Sequence, residues 1–311
     1  MTMLTQIFAA IQEYAWRIIW VGSVLTALEV LVPQVRYSII TRLRSLAFWS
    51  VYILITASAL TIFNTMWATL GVRPWIILHI GDWFNYPHFR AFGLVAAPIL
   101  AAILTEFFYY WFHRMQHAVP FFWRFHSVHH SLREMSAWNC NHHFTEEIFR
   151  IPFVTLPLSL LISGDPGPVP LIVGSILAMQ SLYEHSCIRF GLGPIRYIIA
   201  DNRYHRIHHS IEPEHLGKNF GSFTPVWDIL FGTARFPKKP SGLKLVSLAK
   251  MNPGRCWNSC FGLSCGFPLI GNDVDGHAYA TRRPANSHRQ PSRPRPRAAH
   301  WAPPPSNVTM A

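Results

Sequence analysis

Charge is scarce in this chain: Asp and Glu together number 15 among 311 residues, and charged residues make up 14% of the whole. Soluble domains carry about 25% charged residues, so this balance, with half the residues hydrophobic and a mean hydropathy of +0.18, leans towards a membrane protein. The five cysteines, Cys140, Cys187, Cys256, Cys260 and Cys265, are odd in number and show no paired spacing, which argues against a disulfide framework and fits no common zinc pattern. Met1–Tyr14 lacks the basic start of a cleaved signal peptide, so the first hydrophobic span is expected to act as the insertion signal. Internal repeats are absent too, apart from one reused H-x-x-H-H pentapeptide.

Apolar runs are what the chain has in quantity. Trp16–Val32, Leu46–Leu70 and Phe92–Phe112 have, or nearly have, the roughly 20 residues that cross a bilayer. The first is short and carries Arg17 and Glu29 near its ends. A fourth run, Ile151–Tyr183, is interrupted by Gly164-Asp165-Pro166-Gly167-Pro168 into pieces of about 13 and 15 residues, each too short to span upright, and is expected to form a helical hairpin. Short loops rich in Lys and Arg stay cytoplasmic, so Arg36, Arg42 and Arg44 orient the first two spans. The third span then delivers residues 113–149 to the cytoplasmic face, the hairpin returns the chain there, and Asp82 lies opposite. The expected fold is all-α, a polytopic membrane helical protein with a cytoplasmic histidine-rich di-metal cap. Its expected divisions are 1–91, N-terminal spans and loops; 92–237, the histidine-bearing catalytic domain; and 238–311, a basic tail.

Histidine is the informative residue. Eight occur as His113-x-x-x-His117, His126-x-x-His129-His130 and His205-x-x-His208-His209. Positions i, i+3 and i+4 share one helix face, so each group aims two or three imidazoles at a common point. A single histidine on an apolar face is ordinarily a satisfied core residue. Three such groups offer enough nitrogens for two ions, and neutral imidazole suits iron, zinc or copper. His79, His88, His215, His277, His288 and His300 stand apart in loops or the tail and are read as ordinary.

The surroundings of the groups extend the pattern. The first is preceded by Glu106-Phe-Phe-Tyr-Tyr-Trp-Phe and followed by His117; the second stands in Phe125-His126-Ser-Val-His129-His130; the third is followed by Asn219-Phe-Gly221 and Trp227-Asp228-Ile-Leu-Phe231-Gly232-Thr233. Over about positions 90 to 237 the chain resembles the fatty acid hydroxylase superfamily, also called the sterol desaturase family, of membrane histidine-box di-metal oxidases. The resemblance implies metal ligands at His113, His117, His126, His129, His130, His205, His208 and His209. Two further ligands are implied between the second and third boxes. One falls at His143, in His143-Phe-Thr-Glu146, where Phe144 replaces the usual proline and His142 competes; the other is His185, after Glu184. Glu106, Glu146, Glu184 and Asp201 are candidates to orient the imidazoles, because carboxylates fix the tautomer and tilt of ligating histidines.

The family also implies chemistry: two iron ions, replaceable by zinc, with O2 and external electrons, oxidising a lipid C–H bond by hydroxylation or desaturation. Expected partners are the membrane, a lipid substrate, and an electron donor such as cytochrome b5 or ferredoxin with an NAD(P)H reductase. The location would be the inner membrane of a bacterium or the endoplasmic reticulum of a eukaryote. The alternative is a non-catalytic, His-rich membrane metal transporter or sensor. After Pro237 the composition shifts to eleven Lys and Arg against Asp273 and Asp275, with ten of the 24 prolines. Such a segment cannot bury a core and is expected to be disordered, touching anionic lipid head groups rather than nucleic acid.

Overall fold

A computed structural model describes residues 2–78, 87–164 and 168–237. The chain divides into two units at Phe267, and the second, Pro268–Ala311, lies outside the described residues, as does the whole tail after 237. So do His79 and Asp82 of the expected outer loop and residues 165–167 of the hairpin tip.

Helix α1 covers Met3–Leu31, with the Thr2 hydroxyl accepting the Thr5 N–H as its cap. It starts well before the expected Trp16. Residues 3–21 contain neither Gly nor Pro, and an Arg17–Glu13 ion pair one turn apart lets the polar residues stay helical. Helix α2 covers Ile39–Leu70, capped by the Ser38 hydroxyl on Ile40 N–H at 3.1 Å and stopped by Gly71 at φ 61°. After a short strand β1, Ile76–Leu78, helix α3 runs over Pro87–Ala118. Its internal Pro98 is a residue that membrane helices tolerate. Met3–Leu31, Ile39–Leu70 and Gly93–Ala118 are long and apolar enough to cross a membrane. Their outer faces expose large apolar side chains, such as Trp16 at 70%, which suits contact with lipid.

Pro120 opens helix α4, Pro120–His130, at a position where its missing N–H costs nothing. The fourth apolar run is less regular than a helical hairpin. Helix α5, Glu146–Arg150, passes through a π turn at Ile151–Thr155 into helix α6, Leu156–Leu161, and then strand β2, Ile162–Gly164. Pro152 and Pro157 remove two backbone donors from this limb, which favours breaks in the regular ladder. Strand β2 pairs in parallel with β1, Ile76 opposite Ile162 and Leu78 opposite Gly164, a contact that periodicity did not announce. Helix α7, Pro168–His185, is the returning limb, followed by helix α8, Asn202–His208, and helix α9, Val226–Leu230.

The end of α1, the loops beside α7 and the segment after α4 are tied together. Gln34 N–H donates to Cys187 O at 2.7 Å, and Arg189 N–H to Val32 O at 3.0 Å. Glu29, 2% exposed, accepts the N–H of Ala137 at 2.8 Å and of Cys187 at 2.9 Å and pairs with Arg42. Hydrogen bonds to a buried charge are worth about 1.5–3 kcal/mol each, so this carboxylate fastens the cap to the span. Below it, Ile18, Leu25, Trp49, Ile53, Trp138 and Leu182 form the main core. Gly22 makes room for it, because a Cβ there would lie 2.5 Å from the Trp138 ring.

Candidate metal centre

Nine histidines converge in two groups. His113, His117, His126, His130 and His208 form one, and His129, His185, His205 and His209 the other; within each group the ligand nitrogens lie within 4.8 Å of one another. All nine are buried. Helical spacing explains the division. In α4, His126 and His130 are one turn apart and face one group, while His129 is rotated towards the other. The third box divides the same way, His205 and His209 against His208.

Backbone carbonyls orient the rings. The Nδ1–H of His113 donates to Phe220 O at 2.7 Å, that of His129 to Asn141 O at 3.2 Å, that of His185 to Ser181 O at 2.7 Å and that of His208 to Lys218 O at 2.9 Å. Each neutral ring is then left with an unprotonated Nε2 aimed inward. His129 Nε2 and His185 Nε2 meet at 3.2 Å, and with both protons committed to carbonyls neither has a hydrogen to give the other. Two facing lone pairs need a cation between or beside them. Protonation is a poor remedy, since burial, reinforced by neighbouring imidazoles, holds His126, His129, His130, His205 and His209 well below the usual histidine range. Burial takes His208 and His142 down to about 4. Two nitrogens bound to one ion at about 2.1 Å and at right angles are about 3.0 Å apart. The 3.0–3.1 Å separations of His113–His126, His130–His208, His185–His205 and His205–His209 fit that spacing. The donor set therefore fits two transition-metal ions.

His142 and His143 take different places. The His142 ring stacks on His129 with centroids 3.8 Å apart and planes 11° apart, and its Nδ1–H donates to Cys140 O at 3.0 Å. His143, expected as a ligand, lies outside both groups: its Nδ1 meets the Thr145 hydroxyl at 2.8 Å and its ring packs on Phe125 and Phe144. Phe144 stands at the position of the usual proline, and the Thr145 hydroxyl and N–H both approach His143 Nδ1 in the turn before α5. His215 bonds Ser210 at 2.9 Å beside the surface residues Glu212 and Glu214.

Of the four carboxylates proposed to orient imidazoles, Glu184 does approach them, 3.4 Å from His205 Nδ1 and 3.7 Å from His185 Nδ1, while accepting the Ser222 hydroxyl at 2.9 Å. The other three act at one remove. Glu106 accepts the backbone N–H of Ser222 and of Phe223, the latter at 2.8 Å, and so holds the loop that begins at Phe220. Glu146 accepts both bonds of the Gln116 amide at 2.9 Å, and burial pushes its carboxyl up to about 7. Asp201 caps α8 through Tyr204 N–H at 2.9 Å.

The residues after the third box form a brace. Asp228, fully buried, accepts Phe220 N–H at 2.9 Å, Gly221 N–H at 2.7 Å and the Thr233 hydroxyl at 2.6 Å. Thr233 also bonds the Tyr110 hydroxyl at 3.0 Å, closing a link back to α3. Asn219, at φ 60°, donates to Tyr204 O and Arg235 O at 2.9 Å. This brace fixes the Phe220 carbonyl on which His113 depends; the W-D-x-x-F-G-T signal marked it in sequence without revealing its purpose.

An internal cavity of about 310 Å³ reaches the second group, with His129, His142, His205 and Glu184 in its lining. The rest of its wall comes from α1, α2, α3, α5, α6 and α7, including Ile18, Trp49, Ile53, Leu158, Leu177 and Leu182.

Residues 98–233 match the fatty acid hydroxylase family. The chain is 34% identical to an ornithine lipid hydroxylase of Rhizobium tropici over 157 residues, 50% of this chain and 47% of that protein. It is 30% identical to alkylglycerol monooxygenase of Homo sapiens over 132 residues, 42% of this chain and 28% of that one. A very-long-chain aldehyde decarbonylase of Oryza sativa subsp. indica is 25% identical over 197 residues, 60% of this chain and 28% of that one. The chain thus spans about half of the first relative and under a third of the other two. No solved structure matches.

Proposed function

We propose, from the match of residues 98–233 to the fatty acid hydroxylase family and from the relatives that share it, that this chain is a member of that superfamily and a membrane-bound, O2-dependent lipid hydroxylase with a di-iron centre. The observation that carries this reading is a pair of buried all-imidazole groups, the second of which lines a largely apolar cavity beside spans long enough for a bilayer. Iron is preferred over zinc because O2 reduction requires a metal that changes oxidation state, which zinc does not. The first ion would be held by His113, His117, His126, His130 and His208, the second by His129, His185, His205 and His209, with His142 packed against the second.

The chain's own contribution is to hold and to exclude. Carbonyls of Phe220, Asn141, Ser181 and Lys218 keep the imidazoles in one tautomer, so the ligands need no reorganisation when the metal changes charge. Burial keeps bulk water from the oxidant, and the cavity presents a lipid C–H bond to the second group. Electrons would come from a water-soluble donor of the cytochrome b5 or ferredoxin type at the cytoplasmic face, where the basic residues Arg36 and Arg44 would put the cap. Hydroxylation is favoured over desaturation by the hydroxylase and monooxygenase named among the relatives.

The test is turnover of the full chain in lipid bilayers, loaded with iron and given a reductant and isotopically labelled O2, against amino-acid lipids, alkylglycerols, fatty acyl lipids and sterols. Product carrying one labelled oxygen atom is expected. Fully metallated protein that consumes no O2 with any of them would favour the metal carrier or sensor.

A further inference from the structure

The cavity wall is not uniformly apolar. On one side stand Glu147 and Arg150 of α5, Tyr14 and Arg17 of α1, and Tyr52 of α2. Glu147 is 1% exposed, and neither carboxylate oxygen accepts a hydrogen bond among the described residues; its ion pair with Arg150, at 3.2 Å, is not aligned as one. Arg150 leaves 38% of its side chain open while lining the cavity. Arg17 stacks 5.3 Å from the Tyr14 ring, pairs with Glu13, and has a buried Nε with no acceptor among the described residues. Its guanidinium lies across α7 at Gly174, where a Cβ would meet Nη1 at 2.5 Å, so any larger residue there would displace it.

Such a set is costly to maintain. Ionisable groups within spans are rare unless they serve a bound species, and a buried carboxylate that accepts no hydrogen bond forfeits solvation that only a partner can restore. Gly174 precedes His185 by eleven residues of α7, which sets Arg17 about 16 Å along the helix axis from the second histidine group. Arg17 and the second histidine group therefore occupy different parts of one cavity.

We infer that Arg17, Glu147 and Arg150 form a polar subsite that selects a lipid bearing both an N–H donor and an anionic or carbonyl oxygen, with its reacting carbon at the histidine groups. The oxygen takes the open donors of Arg17 and Arg150, and the ammonium or amide N–H takes the vacant oxygens of Glu147. An uncharged lipid would leave Arg17 Nε and both Glu147 oxygens without hydrogen bonds, so it is disfavoured by the desolvation it imposes. This inference rests on the lipid-oxidation reading for its second half, and binding tests the first half alone.

The probes are an N-dodecanoyl amino acid with a free side-chain amine and 1-O-dodecylglycerol, an uncharged lipid of the same chain length. Binding of each to the metal-loaded full chain in nanodiscs is measured by calorimetry without reductant, and turnover is measured separately. The wild type is expected to bind the charged probe at least tenfold more tightly. Arg17→Leu and Glu147→Gln should each remove most of that preference, raising KM for the charged probe with little change in kcat and tightening binding of the uncharged probe, which no longer desolvates the group removed; Arg17→Lys should restore part of the preference. Gly174→Leu, which crowds Arg17 without touching charge, should act like Arg17→Leu. Equal binding of both probes by the wild type, or a uniform loss for both in the variants, overturns the subsite and leaves two local ion pairs, Arg17–Glu13 within α1 and Glu147–Arg150 within α5. Selective binding without any turnover would instead count against the lipid-oxidation reading and retain the subsite.

Discussion

Asp228→Asn probes how far from the metals the site is built. The side chain is isosteric, but the charge is lost and one acceptor becomes a donor. If the amide nitrogen takes the place of Oδ2, Gly221 N–H loses its acceptor at 2.7 Å; in the other orientation both Phe220 N–H and the Thr233 hydroxyl lose theirs. The first orientation is therefore preferred. It removes one charge-assisted bond, about 1.5–3 kcal/mol, and weakens the two that remain, so the brace is loosened by about 2–4 kcal/mol. Phe220 then no longer presents its carbonyl rigidly to His113 Nδ1, a contact of 2.7 Å. Loss of such a partner ordinarily costs about 10- to 100-fold in metal affinity. The loss should be confined to the ion held with His113, because the second histidine group takes its carbonyl partners from Asn141 and Ser181. Chelator titration of the iron-loaded full chain, reading metal stoichiometry at each step, should show one ion released about 10- to 100-fold more easily and the other unchanged. Equal retention of both ions, or equal loss of both, would refute the brace as a support of the first group.

His129→Ala and His208→Ala remove ligands from different groups, so each should lower iron stoichiometry by one ion first and reduce turnover tenfold or more by analogy with outer-partner losses of about 10- to 100-fold, while His79→Ala should do neither. Metal analysis of the three variants decides it. Burial raises the Glu146 carboxyl from 4.5 to about 7, so between those values the folded chain holds more protons than the unfolded one, and its stability falls as pH rises through the window by up to ~3 kcal/mol. Glu146→Gln, which cannot titrate, should flatten that dependence in urea titrations at successive pH values, and an unchanged slope would mean that the carboxyl is not perturbed. For orientation, Arg36 precedes α2 and Arg73 follows it, both on exposed backbone. Arg36→Cys and Arg73→Cys in a chain freed of accessible cysteines should label from opposite faces of sealed vesicles, and labelling from the same face would sink the assigned span count.

Spacing alone determined that His126 and His130 share a helix face and that the three boxes could serve two ions, because helical geometry is local. Composition likewise announced the spans, although not the start of α1, where an ion pair keeps polar residues helical ahead of Trp16. The assignment of each imidazole to a group needed the chain brought together, since His113 meets His208 and His129 meets His185 across long stretches of sequence. The same is true of His142 and His143, adjacent in sequence yet turned to opposite fates by one turn before α5. Glu29 reads in sequence as a charge misplaced at the end of a span. Only packing reveals the Ala137 and Cys187 amides that bind it. Periodicity reports which residues share a face of their own element, and the partner of a buried charge is set by another element, so tertiary structure alone decided the carbonyl supports, the Asp228 brace and the polar wall of the cavity.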